Sequence, residues 1–362
     1  MATHSGLAQS YDVAGSVEVD DFGGWDFLEA GHGHDLAGQA NDEARARRHV
    51  DLTDIYFEVG FVRYHQLTVA PNRILCGPPN ALPFPPHRFR MSTPASVPYN
   101  ATLINREDIN PQLIVFRVQP DGELFAFKPG QFAVLGLLGG EPRLPEAESE
   151  EATPDPAKLI RRAYSIASSS VERRHLEFFV TLVNSGEFTP RLFALRHGSR
   201  LFLQPKASGV FTLDKAPPGK AVLLIATGTG LAPYISMLRT MLIHDTERKF
   251  VVLHGARCSW DLGYRAELES LARIRPNFTY LPSITRPAED PHFRGHTGRI
   301  QNLIAQSVIE TASGVALDPA RTDVFLCGNP DMITQVKDLL APRGFVPDHG
   351  KQLGSIHIEE YW

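Results

Sequence analysis

The sequence has little cysteine, no long hydrophobic run and no surplus of basic residues. Its three cysteines, Cys76, Cys258 and Cys327, lie far apart and form no CxxC pair, which excludes a plant-type iron–sulfur module and argues against a disulfide framework. The net charge of -5 argues against a general nucleic-acid-binding protein, because binding phosphates requires clustered lysine and arginine. Neither a membrane span nor a signal peptide is recognisable. We therefore expect a cytoplasmic protein that binds neither nucleic acid nor membrane.

The 362 residues are enough for two domains and an extension. Residues 1–95 show no sustained periodicity and end in a proline-rich stretch, so we interpret them as a disordered extension. An alternative is that Met91 is the true start of the protein. His32 and His34 lack the cysteine or carboxylate neighbours of a metal site, and we predict no metal.

Residues 96–215 favour an antiparallel β-barrel that contains one helix. Short apolar segments alternate there with turn residues such as Pro120-Asp121-Gly122. We predict a helix over residues 190–195 and a long acidic surface loop over residues 139–156. The predicted strands cover residues 101–104, 113–118, 133–138, 176–183, 201–205 and 209–213, together with the segment around Tyr164.

Residues 216–362 follow a different pattern, in which strands and helices alternate. This pattern is typical of an open parallel sheet with helices on both faces, so we place a domain boundary near residue 216. The predicted fold is thus an antiparallel barrel followed by a Rossmann-like α/β domain. The predicted strands cover residues 221–226, 250–253, 278–284, 324–327 and 355–362, and two of the predicted helices cover 300–309 and 331–340.

The segment Arg162-Ala163-Tyr164-Ser165 combines the groups that a bound flavin requires. Arg162 offers a planar set of donors to a phosphate, Tyr164 offers an aromatic face, and Ser165 offers a hydroxyl to a polar ring edge. In a strand, Arg162 and Tyr164 would point to the same side. The alternative is an edge strand that carries ordinary surface arginines.

Gly228, Thr229 and Gly230 form a turn between a buried strand and a helix, where backbone amides and the helix dipole favour a pyrophosphate. Pro233 replaces the third glycine of the NAD fingerprint, and the acid that binds the ribose is missing. Ala256-Arg257, Thr285-Arg286 and Arg299 follow the neighbouring strands instead. Such arginines would suit a 2′-phosphate and favour NADPH over NADH, although solvated surface arginines are the alternative.

Two further segments fall where ligands bind in such sheets. Cys327 ends a predicted strand and is followed by Gly328-Asn329-Pro330, a turn that could border a nicotinamide ring. Buried cysteine usually only packs. The chain ends on Tyr361 and Trp362, and terminal aromatic residues seldom stay ordered unless they stack on something.

Together these motifs resemble the bacterial ferredoxin/flavodoxin–NADP reductases of the ferredoxin reductase superfamily, over about residues 96–362. The resemblance implies an FAD-binding barrel over 96–215 and an NADP-binding domain over 216–362. The residues it assigns to FAD are Arg162, Ala163, Tyr164, Ser165, Phe179, Val180, Thr181, Glu187, Phe188, Thr189 and Thr229. The residues it assigns to NADP(H) are Ala256, Arg257, Thr285, Arg286, Arg299, Gly328, Asn329 and Pro330.

The resemblance also implies a reaction, in which NADPH transfers a hydride to flavin N5 and a small carrier then receives single electrons. That carrier would be ferredoxin or flavodoxin. The basic residues Arg161, Arg173, Arg174 and Lys206 could face an acidic ferredoxin, and an ordinary solvated face is the alternative. The terminal aromatic residues would cover the FAD. The positions we assign to catalysis are Tyr164, Ser165, Cys327, Tyr361 and Trp362.

Two other functions remain open on the sequence. One is a stand-alone reductase component of an oxygenase or cytochrome system. The other is a flavin-binding subunit of a larger complex, although such subunits typically add a C-terminal cysteine cluster, which this sequence lacks. The sequence does not indicate an oligomeric state.

Overall fold

The computed structural model describes residues 98–360, except residues 151 and 153. The predictions made for residues 1–95, including those for His32, His34 and Met91, therefore lie outside the described residues. The same holds for Tyr361 and Trp362. Within the described part, no helix is both long enough and apolar enough to cross a membrane.

The first half of the described chain forms a six-stranded antiparallel sheet in the order β4-β3-β6-β1-β2-β5. Alternate residues of its strands fill one interior, with Ile114, Phe116 and Val118 of one strand buried together. Its elements are β1 (Ala101–Asn110), β2 (Leu113–Pro120), β3 (Phe132–Leu138), β4 (Leu159–Ser165), β5 (Leu176–Thr181), α1 (Thr189–Ala194) and β6 (Arg200–Leu203).

The second half forms a six-stranded parallel sheet in the order β10-β9-β8-β7-β11-β12. The fold class predicted from the sequence is therefore confirmed. The elements are β7 (Ala221–Thr227), α2 (Ala232–Met241), β8 (Phe250–Ala256), α3 (Arg265–Ile274), β9 (Phe278–Ile284), β10 (His296–Thr297), α4 (Ile300–Ala305), α5 (Val308–Ser313), β11 (Thr322–Cys327), α6 (Pro330–Leu340) and β12 (Ile356–Glu359).

Strand β7 lies at the centre of the parallel sheet and is buried on both faces. Val222 and Leu224 pack on the side of α2, whereas Leu223 and Ile225 pack on the side of α4 and α6. A parallel strand that is covered on both faces needs such a continuous apolar run. The layers therefore bring the carboxyl ends of β7, β8, β9 and β11 to one edge of the sheet.

Two of the predicted elements were wrong in detail. Residues 209–213 do not form a strand, because Gly209 has a φ of +104° and leaves extended geometry. The preceding Ser208 forms an isolated bridge with Phe132. The helix predicted over residues 300–309 is two helices, α4 and α5. Ser307 separates them with a φ of +55°, which a right-handed helix cannot contain.

The acidic loop after β3 is fastened to helix α1. Glu150 lies 2.6 Å from Arg191 Nη1 and 2.8 Å from Arg143 Nη1. Arg191 is buried and also donates to the Gly139 carbonyl at 2.7 Å. Both arginines lower the pKa of Glu150, with Arg191 the larger cause. These contacts hold Glu150, and with it this part of the loop, against α1.

Candidate functional site

The segment with Arg162 and Tyr164 forms strand β4, and both side chains lie on the same side of it. Arg162 is exposed; it donates to the Arg161 carbonyl at 2.9 Å and to Glu187 at 3.3 Å. Tyr164 is half-buried, with its ring 5.8 Å from that of Phe188. Burial raises the pKa of the Tyr164 hydroxyl, which therefore stays protonated at neutral pH. The strand presents a cation and an aromatic ring side by side.

Ser165, the last residue of β4, reaches across to the parallel sheet. Its Oγ lies 3.5 Å from Oε2 of Glu359, at the end of β12. Glu359 is the register partner of Cys327 on the neighbouring β11. Ser165, Cys327 and Glu359 therefore meet where the two sheets adjoin, and Ser165 and Cys327 are both buried there. The geometry brings together a hydroxyl, a thiol and a carboxylate.

Tyr234 on α2 lies beneath this junction. It is fully buried, and its hydroxyl donates to the Ile225 carbonyl at 3.1 Å. Burial raises its pKa well above the ordinary value, and Cys327 and Glu359 raise it further. The phenol consequently remains a neutral donor that fixes α2 against β7.

The residues predicted on β5 divide between the two faces of that strand. Val180 is buried in the antiparallel core, whereas Phe179 packs edge-on against Tyr264 at 5.2 Å, in the core shared with the parallel sheet. Thr181 is exposed at the end of the strand. The side chains of Phe179 and Val180 are thus used for packing, and only Thr181 offers an open polar group.

The predicted segment Glu187–Thr189 lies next to β4. Glu187 contacts Arg162, and Phe188 is buried against Tyr164. Thr189 closes the preceding turn, because its Oγ1 accepts from Val183 N at 2.9 Å and donates to Val183 O at 3.1 Å. These contacts place the start of α1 beside the face of Arg162 and Tyr164.

The glycine turn between β7 and α2 is a short 3-10 turn over Gly228–Leu231. Gly228 has a φ of +54°, and a Cβ there would meet open space. Gly230 lies so close to the Cys327 carbonyl that a Cβ would collide with it. The turn is therefore open on one side and tightly packed on the other, the arrangement a backbone phosphate site needs.

The turn after β11 lies against the glycine turn. Asn329 N donates to Thr227 Oγ1 at 2.9 Å, and Gly328 takes a φ of +139° that brings it against Thr227. The Asn329 side chain caps α6 by accepting from Asp331 N at 2.9 Å. Pro330, the first residue of α6, needs no such partner. Cys327 is fully buried behind these residues.

The predicted arginines line the adjoining part of the same edge. Arg286 N donates to the Arg257 carbonyl at 2.9 Å, and Thr285 N donates to the Ala256 carbonyl at 3.0 Å. Arg299 follows β10, which pairs with the end of β9. Arg286 has one weak contact, to Glu289 at 3.4 Å. Arg257 and Arg299 are exposed and have no side-chain partner among the described residues.

Sequence reasoning assigned no role to Glu359. The sequence shows only that Glu359 is one of two adjacent acidic residues within the last predicted strand, residues 355–362. What the pattern did not show is that β12 pairs with β11, so that Glu359 lies beside Cys327 and reaches Ser165. Strand order is set by long-range packing, which a local pattern does not encode.

Comparisons with known proteins agree with one another. The model of the oxidoreductase NAD-binding domain matches residues 224–338. A flavodoxin/ferredoxin–NADP reductase of Buchnera aphidicola subsp. Baizongia pistaciae is 30% identical over 249 residues, which are 68% of this chain and 93% of that protein. Ferredoxin–NADP reductase B of Sorangium cellulosum is 32% identical over 267 residues, 73% of this chain and 98% of that one.

Among solved structures, a ferredoxin NADP+ reductase from Neisseria gonorrhoeae, determined with bound FAD and NADP, aligns with a TM-score of 0.61 and 25% identity. The alignment covers 73% of this chain and 98% of that chain. Both sheets described above therefore have counterparts in one protein.

Proposed function

This chain belongs to the ferredoxin–NADP reductase family, and we propose that it transfers electrons between NADPH and ferredoxin or flavodoxin. It is an oxidoreductase of that family, with FAD and NADP(H) as its cofactors. The choice of carrier is the finer part of the proposal. It is supported by the names of the relatives, since the Buchnera aphidicola protein is a flavodoxin/ferredoxin–NADP reductase and the Sorangium cellulosum protein is a ferredoxin–NADP reductase.

One observation supports the proposal most strongly. Ser165, at the end of the strand with the aromatic platform, lies 3.5 Å from Glu359, at the ligand-binding edge of the parallel sheet. A ring held beside Tyr164 and a nucleotide held at that edge would therefore meet at one place. Close approach of two reacting rings is the main contribution that a protein makes to hydride transfer.

The residues of the antiparallel sheet fit FAD. Arg162 is half exposed and only weakly paired with Glu187, so its guanidinium is available to a phosphate. Tyr164 offers its ring on the same side of β4, and Ser165 offers its hydroxyl at the end of the strand. Bound there, FAD would supply the conversion between a two-electron donor and a one-electron carrier.

The edge of the parallel sheet fits NADP(H). The open side of the Gly228 turn would take the pyrophosphate, and the exposed Arg257, Arg286 and Arg299 would take the 2′-phosphate. The two residues directly after β8, where an acid would select the free 2′-hydroxyl of NADH, are Arg257 and Cys258. This set of donors favours NADPH.

The polar side chains where the two sheets adjoin would hold and orient a proton beside the reacting rings. The Ser165 hydroxyl lies 3.5 Å from Glu359 Oε2, so this carboxylate would orient the proton on Ser165 Oγ. Cys327 lies on the neighbouring strand, and its burial helps to exclude water. These three side chains orient and shield the reacting edge.

The proposal also includes the assignment of a cofactor to each domain. We assign residues 96–215 to FAD binding and residues 216–362 to NADP binding; the two sheets span Ala101–Leu203 and Ala221–Glu359, which agrees with a boundary near residue 216. The coverage of the flavin by Tyr361 and Trp362 stays a prediction, as does a cytoplasmic location.

The test is a reduction assay with the purified full chain. Without oxygen, NADPH should bleach the bound flavin at least ~10-fold faster than NADH, because the exposed arginines favour the 2′-phosphate. Ferredoxin or flavodoxin should then reoxidise it faster than cytochrome c does. A flavin that NADPH leaves oxidised would reject the proposal, and rapid transfer to cytochrome c alone would favour a cytochrome-system reductase.

A further inference from the structure

Glu177 on β5 is a buried carboxylate at the contact between the two sheets. It is 2% exposed and accepts a hydrogen bond from Arg117 Nε at 2.8 Å, within the antiparallel sheet. On its other side it accepts from Arg239 Nη1 at 2.6 Å and from the Tyr264 hydroxyl at 2.9 Å. Both of these donors belong to the parallel-sheet domain, so one carboxylate joins the two domains.

The charge of Glu177 is retained despite its burial. Burial raises the pKa of this carboxyl, but Arg239 and Arg117 together outweigh that effect, and the pKa lies below its ordinary value. Arg239 also donates to both oxygens of Glu267 on α3, at 2.7 Å each, and to the Ala167 carbonyl at 3.3 Å. A buried ion pair with this many partners is rigid and specific in geometry.

The backbone conformation around Tyr264 directs its hydroxyl toward Glu177. Tyr264 has a φ of +58°, a conformation that residues with large side chains rarely adopt. The preceding Gly263 lies directly on the ring of Phe179, and a Cβ there would collide with that ring. The chain therefore bends sharply at this point and delivers the Tyr264 hydroxyl to Glu177.

Helix α2 connects this contact to the nucleotide turn. Arg239 lies in its last turn, and its first residue follows the Gly228–Leu231 turn directly. The helix has 10 residues and is therefore about 15 Å long. At the other end of the contact, Glu177 shares β5 with Phe179 and lies beside Ala167, two residues beyond Ser165.

We propose that Glu177 is a positioning residue, which fixes the angle between the two domains and thereby the approach of the nicotinamide to the flavin. The inference rests on the proposed function, in which the two rings are held by different domains. Glu177 lies outside the residues assigned to FAD and to NADP(H). It acts through Arg239 and α2 on one side and through β5 on the other.

The experiment compares Glu177→Gln with Glu267→Gln in the full flavin-containing chain. Both substitutions remove one negative charge from Arg239, but only the first breaks a bond between domains, because Glu267 belongs to the same domain as Arg239. At saturating NADPH, we expect Glu177→Gln to slow flavin bleaching on the order of 10-fold or more, because small misplacements of reacting groups cost this much. Binding of NADP+ and the flavin spectrum should stay nearly unchanged, and Glu267→Gln should stay within about 3-fold of the unaltered chain.

A second readout needs no nucleotide. The Ser170 amide donates to Thr240 Oγ1 at 3.0 Å, across the same contact between domains. Its hydrogen exchange should be faster in Glu177→Gln, while exchange within β7 stays slow in every variant. Tyr264→Phe removes one hydroxyl and should give smaller changes in the same direction, so that a fold defect in Glu177→Gln does not prevent the test.

Each result decides a different question. If Glu177→Gln and Glu267→Gln behave alike in bleaching and in exchange, Glu177 does not set the domain angle. Faster Ser170 exchange with an unchanged bleaching rate would also overturn the positioning role. If NADPH fails to bleach the flavin of the unaltered chain, the proposed function is wrong, whereas the exchange data still decide whether Glu177 holds the domains together.

Discussion

The rim of the parallel sheet and the contact between the two domains both use arginine, but in opposite ways. At the rim, Arg257 and Arg299 are exposed and have no side-chain partner within the described residues. At the contact, Arg239 bonds Glu177, Glu267 and the Ala167 carbonyl at once. An arginine whose guanidinium is hydrogen-bonded to neighbouring side chains stabilises the structure, whereas an exposed arginine without such partners is available to a ligand.

The largest expected effect is a loss of thermal stability when the buried Arg239, and not the exposed Arg257, is replaced. Arg239→Ala leaves Glu177 charged and buried without its main partner, a defect that typically costs about 3–5 kcal/mol. The thermal midpoint of the flavin-containing chain should fall by roughly 10 °C. Arg257→Ala is the matched control, and it should shift the midpoint by no more than about 2 °C. Equal shifts in scanning calorimetry would remove the distinction between the two sites.

The next effect concerns the coenzyme. Arg299→Ala should lower kcat/KM for NADPH by about 10–100-fold, because under the proposed function Arg299 would make a charge-assisted hydrogen bond to the 2′-phosphate. The value for NADH should hardly change. Arg294→Ala alters an exposed arginine nearby, which donates to the Pro291 carbonyl at 3.1 Å, and should leave both values alone. A parallel loss for NADPH and NADH would show that Arg299 does not read the phosphate.

A smaller effect is expected at the flavin. Arg162→Ala should weaken FAD retention about 10-fold, since under the proposed function its guanidinium would pair with a phosphate of FAD. Arg161→Ala is the control, because Arg161 is the next residue of β4 and points to the other side of the strand. Equilibrium dialysis of FAD gives both dissociation constants. Equal losses would mean that the face of β4 does not decide flavin binding.

The smallest effect is a dependence on pH. The pKa of Glu177 is lowered in the folded chain, so its charge stabilises the fold above the ordinary carboxyl pKa, and this contribution is lost as the pH falls through the folded value. The midpoint difference between the unaltered chain and Glu177→Gln should therefore be full at pH 7 and shrink below about pH 4.5. A difference that grows on acidification would contradict the assigned charge.

The sequence predicted the two sheets well because their patterns are local. The continuous apolar run of β7 and the alternation of strands with helices are properties of neighbouring residues. The strand predicted at residues 209–213 was wrong because Gly209 adopts a positive φ. Glycine adopts positive and negative φ about equally readily, so the residue type alone does not show which one it takes.

Candidate site residues could be proposed from the sequence where one segment carries the matching residue types and not where distant segments meet. Arg162, Tyr164 and the glycine turn were recognisable because their residue types match a ligand group. Glu359 and Glu177 were not, since their importance comes from partners 194 and 62 positions away, Ser165 and Arg239. A carboxylate in a strand gives no local sign of the domain that it will contact.

The central claim is that a nicotinamide held by the parallel sheet reaches a flavin held by the antiparallel sheet. The most direct measurement mixes the flavin-containing chain rapidly with NADPH, or with NADPH deuterated at the transferred position, and follows bleaching. We expect bleaching at saturating NADPH to be about 2-fold or more slower with the deuterated coenzyme, as direct hydride transfer requires. A flavin that stays oxidised under either coenzyme would contradict it.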